Sequence, residues 1–140
     1  MKRILTCIAL LFSSYAAAQT YTVGVEKDNF MPHFGFDEQG QYSGFARDVL
    51  DLFAEHAGID FVYEPLPVAD LVPALAQDKI DFKYPDNPKW THPESIADAM
   101  HYSQPVVEYV DGVLVSPRRK GLGLDHLKRL AAVEGWTPRG

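Results

Sequence analysis

The chain has 140 residues, of which 13 are basic and 19 acidic, and its formal net charge is −6. This acidic balance disfavours nucleic acid as a partner, because binding to phosphates requires a basic surface. Hydrophobic residues make up 46% of the chain, which is enough to build the core of one domain.

The first 18 residues contain the three parts of a cleavable signal peptide. Lys2 and Arg3 provide the positive start, residues 4–12 are apolar, and Ala16–Ala18 offers small side chains before a cleavage point at Gln19. The apolar stretch is shorter than the about 20 residues that a membrane-spanning helix needs. We therefore expect export to the periplasm and a mature chain that does not span the membrane.

The signal segment also contains Cys7, the only cysteine of the sequence. Its removal leaves no disulfide, thiol nucleophile or thiolate metal ligand in the mature chain. Loss of Lys2 and Arg3 also changes the net charge from −6 to −8. The stability of the exported chain must therefore come from packing.

The first half of the mature chain predicts a strand, a hairpin and a helix. Tyr21–Val25 alternates in the manner of a strand, and Asp37–Gly40 is a polar turn between two short extended segments. The helix that follows has apolar residues at i, i+4, i+7 and i+8 and a terminating glycine at Gly58. Its predicted apolar face consists of Phe45, Val49, Leu52 and Phe53.

The next segment predicts a second strand, a helix and a third strand. Ile59–Tyr63 and Ile80–Tyr84 contain isoleucine and aromatic residues typical of strands, and Val68–Asp78 has the apolar spacing of a helix. Pro73 is compatible with this helix if the helix begins near Asp70, which places the proline in the first turn.

Later residues predict a helical turn at 95–99, extended chain over 101–115 and a final strand at Leu130–Val133. The order of strand, helix, strand, helix, strand predicts an α/β fold in which a mostly parallel sheet is flanked by helices. The carboxyl ends of such strands meet at one edge, where ligands bind. The loops at that edge are residues 26–34, 64–67 and 83–90.

A series of short motifs resembles one known family. The motifs are, in chain order, Val23-Gly-Val25, Phe30-Met31-Pro32, Gly40, Gly44-Phe45, Asp48, Asp70–Leu75, Lys79–Phe82, Tyr102–Pro105, Asp111–Val115 and Leu124–Leu127. Their order over residues 20–137 is similar to that of the type II periplasmic solute-binding proteins, in the branch that includes amino-acid-binding components of transporters.

The resemblance implies two lobes joined by a hinge, which close on a small polar solute and deliver it to the membrane permease of an importer. It implies a signal peptide over residues 1–18, lobe one over 19–116, and a hinge with the start of lobe two over 117–140. The second lobe is then largely missing. We expect truncation by a frameshift or early stop, with a fragment or a single-lobe variant as alternatives. A periplasmic sensing or accessory domain of a redox system, or a non-functional remnant, are the alternative functions.

The resemblance also implies residues of the binding site. Glu26 lies where family members often place an acid that holds a ligand ammonium group, and Phe30 lies where they carry a stacking aromatic. Trp136 and Thr137 fall in the ligand loop of lobe two. We expect Glu26, Phe30 and the loop Lys83–Asn87 to surround one shallow concavity at the edge of the sheet.

The loop Lys83–Asn87 departs from the family pattern. Amino-acid binders usually carry a hydroxyl-rich loop and then an arginine that clamps the ligand carboxylate, whereas no arginine occurs here between Arg47 and Arg118. A lysine supplies the charge of an arginine but not its two-point geometry. We therefore expect a polar or cationic solute rather than a standard amino acid, and a turn built for local backbone reasons is the alternative. The candidate binding residues of this loop are Lys83, Tyr84, Asp86 and Asn87.

No catalytic or metal-binding pattern is visible in the sequence. The serines lack a Ser/His/Asp arrangement, and none of the five histidines stands in metal-ligand spacing. We therefore expect a binding protein that is not an enzyme and that uses neither a metal nor a cofactor.

Overall fold

The computed structural model describes residues 18–90, 94–97, 99–108 and 112–136. The predicted signal peptide, apart from Ala18, lies outside these residues. The elements within them are β1 Gln19–Glu26, β2 Gly35–Phe36, β3 Tyr42–Ser43, α1 Phe45–Ala57, β4 Ile59–Leu66, α2 Val68–Ala76, β5 Phe82–Tyr84, α3 Glu94–Ala97, and 3₁₀ turns at Pro117–Arg119 and Leu124–His126.

Three strands form a parallel sheet in the order β4-β1-β5. The central strand β1 pairs with β4 along its whole length and with β5 through Val23–Val25. The predicted α/β architecture is therefore confirmed, and the carboxyl ends of the three strands lie at one edge. The predicted hairpin is also confirmed, because β2 and β3 pair in antiparallel fashion.

The helix α1 packs against one face of this sheet. Val23 and Val25 of β1 are fully buried there in a cluster with Phe34, Tyr42 and Ala46. Val23 and Val25 lie on the same face because successive side chains of a strand point to opposite sides of the sheet. At its end, α1 stops at Gly58, which has a φ of 68° as the sequence predicted.

The predicted apolar face of α1 is wrong in its details. Phe45, Leu52 and Phe53 are 44%, 67% and 54% exposed, whereas Ala46 and Ala54 are buried. The small alanine side chains let the helix lie close to the sheet, and burial follows that close approach rather than the largest apolar residues. The apolar spacing alone could not distinguish the two neighbouring faces of the helix.

The helix α2 packs against the opposite face. Its buried residue Leu71 forms a second cluster with Ala74 and Ile80. Gly24 lies between the two buried valines of β1, and a Cβ at this position would collide with Ile80 and lie 3.0 Å from Leu71 Cδ2. The absence of a side chain at Gly24 therefore allows α2 and the chain before β5 to lie directly on the strand.

The position of Pro73 differs from the prediction. Since α2 begins at Val68 rather than near Asp70, the proline lies in the second turn of the helix. It is exposed, and a ring that faces solvent does not disturb the packing of Leu71 on the sheet.

The predicted strand at Leu130–Val133 is not formed. Leu130 and Val133 are 61% and 42% exposed, and within the described ranges the parallel sheet receives no strand after β5. A strand requires a neighbour for its backbone hydrogen bonds, which an apolar sequence pattern does not supply. The predicted helical turn corresponds to α3. None of the described helices is long and apolar enough to cross a membrane.

Candidate functional site

The carboxyl group of Glu26 lies at the carboxyl end of the central strand. Glu26 is 2% exposed, and its Oε2 atom has no hydrogen-bond partner among the described residues. Burial raises the pKa of Glu26 to about 6, while the Lys83 charge and a hydrogen bond with Trp136 lower it and Asp28 raises it. An unpaired buried carboxylate oxygen costs folding free energy, so this group requires a reason other than stability.

Lys83 lies next to this carboxyl group on β5, in register with Gly24 of β1. Its Nζ donates a hydrogen bond of 2.7 Å to the Pro85 carbonyl and forms an ion pair of 3.0 Å with Asp86 Oδ2. The same Nζ lies 5.5 Å from the centroid of the Trp90 ring. The side chains of Lys83 and Asp86 are only 6% and 8% exposed. The positive charge of Lys83 therefore neutralises the negative charge of Asp86 in the same loop.

A turn near the end of the described chain covers Glu26. The Trp136 backbone N–H donates to the Val133 carbonyl at 3.0 Å, and Gly135 has a φ of 88°. A Cβ on Gly135 would lie 2.8 Å from the backbone nitrogen of Ala69 in the first turn of α2. Glycine thus permits this close approach, which brings the Trp136 side chain into hydrogen-bond reach of Glu26. The Glu26 carboxyl group is therefore covered. The shallow concavity around Glu26, Phe30 and Lys83–Asn87 stays a prediction.

Phe30 lies on a loop that the start of α1 holds in place. The backbone N–H groups of Phe45 and Ala46 donate to the carbonyls of Pro32 and His33 at 3.0 and 2.8 Å. These bonds satisfy two of the N–H groups that the first turn of a helix leaves unpaired. Phe30 is 59% exposed, so its ring offers a face for stacking on a ligand.

His33 connects the Phe30 loop to β5. Its Nε2 lies 3.1 Å from the Tyr84 hydroxyl, and its ring centroid is 6.5 Å from that of Phe30 and 5.7 Å from that of Phe45. Burial lowers the pKa of His33, which favours the neutral imidazole. Sequence patterns could not reveal this contact, because 51 positions separate His33 from Tyr84.

The predicted site residues form two groups at the carboxyl edge. Glu26, Lys83, Asp86 and Trp136 belong to the first group, which is built from charges and an indole. Phe30 and Tyr84 belong to the second group, in which each contacts His33. Trp90 and Gly135, which were not predicted for the site, complete the first group through their contacts with Lys83 and with α2.

Of the last two predicted site residues, the structure describes Asn87 but not Thr137. The Asn87 backbone N–H donates to Asp86 Oδ1 at 2.6 Å, and the Asn87 side-chain oxygen accepts from the Lys89 N–H at 2.9 Å. Both bonds are local, as in the alternative interpretation of this loop as a turn built from Pro, Asp and Asn. Thr137 lies outside the described residues. Among the residues that are described, no group of three or more metal-ligand side chains is found.

Three solved structures are similar to part of this chain. An ancestral arginine-binding protein bound to arginine is 28% identical, with a TM-score of 0.44 over 56% of this chain. An ancestral amino-acid-binding protein, described as a precursor of cyclohexadienyl dehydratase, is 28% identical, with a TM-score of 0.43 over 55%. A substrate-binding protein of an ABC uptake transporter from Streptococcus pneumoniae with bound histidine is 20% identical, with a TM-score of 0.47 over 61%. The chain spans 33% of the length of each of these proteins.

No curated protein matches the chain. The family model of the bacterial extracellular solute-binding proteins, family 3, matches residues 21–123. The matched range contains the parallel sheet from Tyr21 onward, α1, α2 and the loops that carry Glu26, Phe30 and Lys83. The family resemblance predicted from the ordered motifs is thereby confirmed, and the chain is a member of the bacterial extracellular solute-binding proteins, family 3.

Proposed function

We propose that this protein binds a small polar solute in the periplasm and presents it to the membrane permease of an importer. The observation that supports this most directly is the buried Glu26 carboxyl group with its unpaired Oε2 atom. It lies at the carboxyl end of the central strand of a parallel sheet, which is the edge where ligands bind in open α/β folds.

The energetics of Glu26 support a binding role over a purely structural one. A buried acceptor without a hydrogen bond costs about 1–3 kcal/mol, so the burial of Glu26 does not by itself stabilise the fold. At Glu26 the pKa is raised to about 6, with burial as the largest cause. Perturbed ionisable groups of this kind are concentrated at functional sites. A donor group of the solute would supply the partner that Oε2 lacks.

The aromatic residues near this edge support a ligand with an extended or planar part. Phe30 and Trp136 are 59% and 40% exposed, although aromatic side chains of this size are usually more buried. The Phe30 backbone is held by hydrogen bonds with His33 and Phe34, and its ring centroid lies 5.8 Å from that of the buried Phe34. We propose that the Phe30 ring stacks on the bound solute.

The proposal extends to the organisation of the chain. Residues 1–18 act as the signal peptide, residues 19–116 as the first lobe, and residues 117–140 as the hinge and the beginning of a second lobe. Membership of an extracellular family supports export, and the position of Trp136 over Glu26 supports a role for the last segment in covering the solute. Binding, rather than catalysis, is the activity that we propose.

The proposal is tested by measuring the binding of amino acids, amines and sugars to the exported chain by titration calorimetry. We expect Glu26→Gln to weaken the binding of the best solute about tenfold or more, as is usual for the loss of a hydrogen bond to a charged group. Phe30→Ala should weaken it to about the same extent, because the stacking face and its apolar area are lost. The matched controls Glu55→Gln and Leu52→Ala, both at exposed positions of α1, should leave the affinity unchanged. Equal affinity in all four variants would contradict the proposed site, and no binding of any solute would contradict the function.

A further inference from the structure

We infer that the solute is a cation that this site recognises by its positive charge, and that a carboxylate on the solute contributes nothing to recognition. The chemical class is therefore an aliphatic amine or guanidine rather than an α-amino acid. This inference rests on the proposed function, since it assigns a solute class to the same Glu26 site.

The first step concerns Lys83, which is the buried cation next to Glu26. One of its N–H groups donates to the Pro85 carbonyl at 2.7 Å, and the ammonium group forms an ion pair of 3.0 Å with Asp86 Oδ2. The ammonium group also lies 5.5 Å from the Trp90 ring centroid, in cation–π distance. A solute carboxylate would therefore have to compete with partners that Lys83 already contacts.

The second step concerns the free energy of such a competition. Lys83 and Asp86 are 6% and 8% exposed, and loss of one partner of a buried ion pair is strongly unfavourable. To bind a solute carboxylate, Lys83 would have to break its ion pair with Asp86. The ion pair of Lys83 and Asp86 therefore stays intact, and its two charges cancel. The net charge of the first group is then the negative charge of Glu26.

The third step concerns the other cations near the site. No arginine occurs in the three loops at the carboxyl edge, residues 26–34, 64–67 and 83–90, so the loops supply no planar guanidinium fork for a carboxylate. Lys27 and Lys89 are exposed, and solvent screens ion pairs made by exposed lysines. Arg47 of α1 is bound to Asp51 on the same helix and to the Tyr42 carbonyl of β3.

The fourth step concerns what favours a cation. Oε2 of Glu26 can accept a hydrogen bond from an ammonium or guanidinium group. Because the carboxylate is buried, its electrostatic attraction for that positive charge is stronger than it would be in water. The indole of Trp136 lies beside the same carboxyl group, and aromatic faces attract cations. Acceptor, charge and aromatic face therefore all favour the positive end of a solute.

The test compares amino acids with the amines that decarboxylation makes from them. The pairs are L-arginine with agmatine, L-lysine with cadaverine and L-ornithine with putrescine, and titration calorimetry on the exported chain measures their affinities. We expect each amine to bind at least as tightly as its parent amino acid. A preference for the amino acid of about tenfold or more would overturn the inference and leave the proposed function intact.

Two further outcomes are informative. Binding of a neutral or anionic solute in the absence of any amine binding would overturn the inference alone, whereas no binding of any solute would overturn the proposed function with it. The variant Asp86→Asn removes the counter-charge of Lys83, and we expect it to shift the preference of each pair toward the amino acid by about tenfold. An unchanged preference in Asp86→Asn, with Lys83 still ordered in the fold, would show that the ion pair does not set the specificity.

Discussion

At the scale of single residues, Glu26 combines a cost to stability with the role in binding that we propose for it. Its pKa is about 6 in the fold against an ordinary value of 4.5, and burial is the largest cause. Folding therefore favours the protonated form of the Glu26 carboxyl group. The stability associated with this proton is fully present below pH 4.5 and is lost as the pH rises through about 6.

We predict that Glu26→Gln stabilises the protein at pH 7.5 by up to about 2 kcal/mol, because one unit of pKa shift corresponds to about 1.4 kcal/mol. At pH 4.5 the same variant should have little effect. Urea unfolding at both pH values measures the difference, and Glu64→Gln at an exposed position of β4 is the matched control. An equal effect of Glu26→Gln at both pH values would contradict the raised pKa.

At the scale of elements, the start of α1 is attached to the loop that carries Phe30. Gly44 precedes the helix with a φ of 103°, and a Cβ there would lie 2.9 Å from the Pro32 carbonyl oxygen and 3.0 Å from that of His33. These are the carbonyls that accept hydrogen bonds from the first N–H groups of α1. The loop and the helix therefore share one backbone junction.

We predict that Gly44→Ala destabilises the protein by about 1–3 kcal/mol through backbone strain, with a further loss from the displaced carbonyls. Gly40→Ala is the control, because Gly40 has a φ of 74° but nothing within 4 Å of a Cβ. Gly40→Ala should lower the stability only by the about 1–2 kcal/mol of strain that a Cβ causes in the left-handed region of backbone conformation. Urea unfolding of both variants measures this, and an equal loss would show that the junction makes no specific contribution.

The elements also show how far the sequence predicts this fold. The parallel order and the end of α1 at Gly58 follow from local patterns, because strand alternation and terminal glycines act over a few residues. The buried face of α1 does not, since Ala46 and Ala54 are buried only through the close contact with the sheet. The same holds for His33 and Trp136, whose partners in the site are distant in sequence.

At the scale of the whole molecule, Glu26 lies beside a contact between distant parts of the chain. The turn at Gly135 lies against the first turn of α2, and Trp136 reaches Glu26 from there. The motifs of the sequence placed Trp136 near the site through family resemblance alone. They could not reveal the turn, because the position of Gly135 depends on its contact with Ala69.

We predict that Gly135→Ala detaches this turn, since its Cβ would lie 2.8 Å from the Ala69 backbone nitrogen. The pKa of Glu26 should then fall from about 6 toward 4.5, because lost burial outweighs the lost hydrogen bond with Trp136. NMR titration of the labelled glutamate carboxyl carbons measures this shift. Gly123→Ala, at a φ of 79° with nothing within 4 Å, is the control, and a Glu26 pKa that stays near 6 in Gly135→Ala would contradict the prediction.

The position of the indole side chains gives the molecule an optical property. The sequence contains two tryptophans; one lies 5.5 Å from the Lys83 ammonium group, and the other hydrogen-bonds Glu26. Because indole emission responds to nearby charge and to contact with water, the intrinsic fluorescence of the protein originates beside the two ionic groups of the carboxyl edge. We therefore expect binding of the proposed solute, protonation of Glu26 and movement of the last turn each to alter a signal that requires no attached dye.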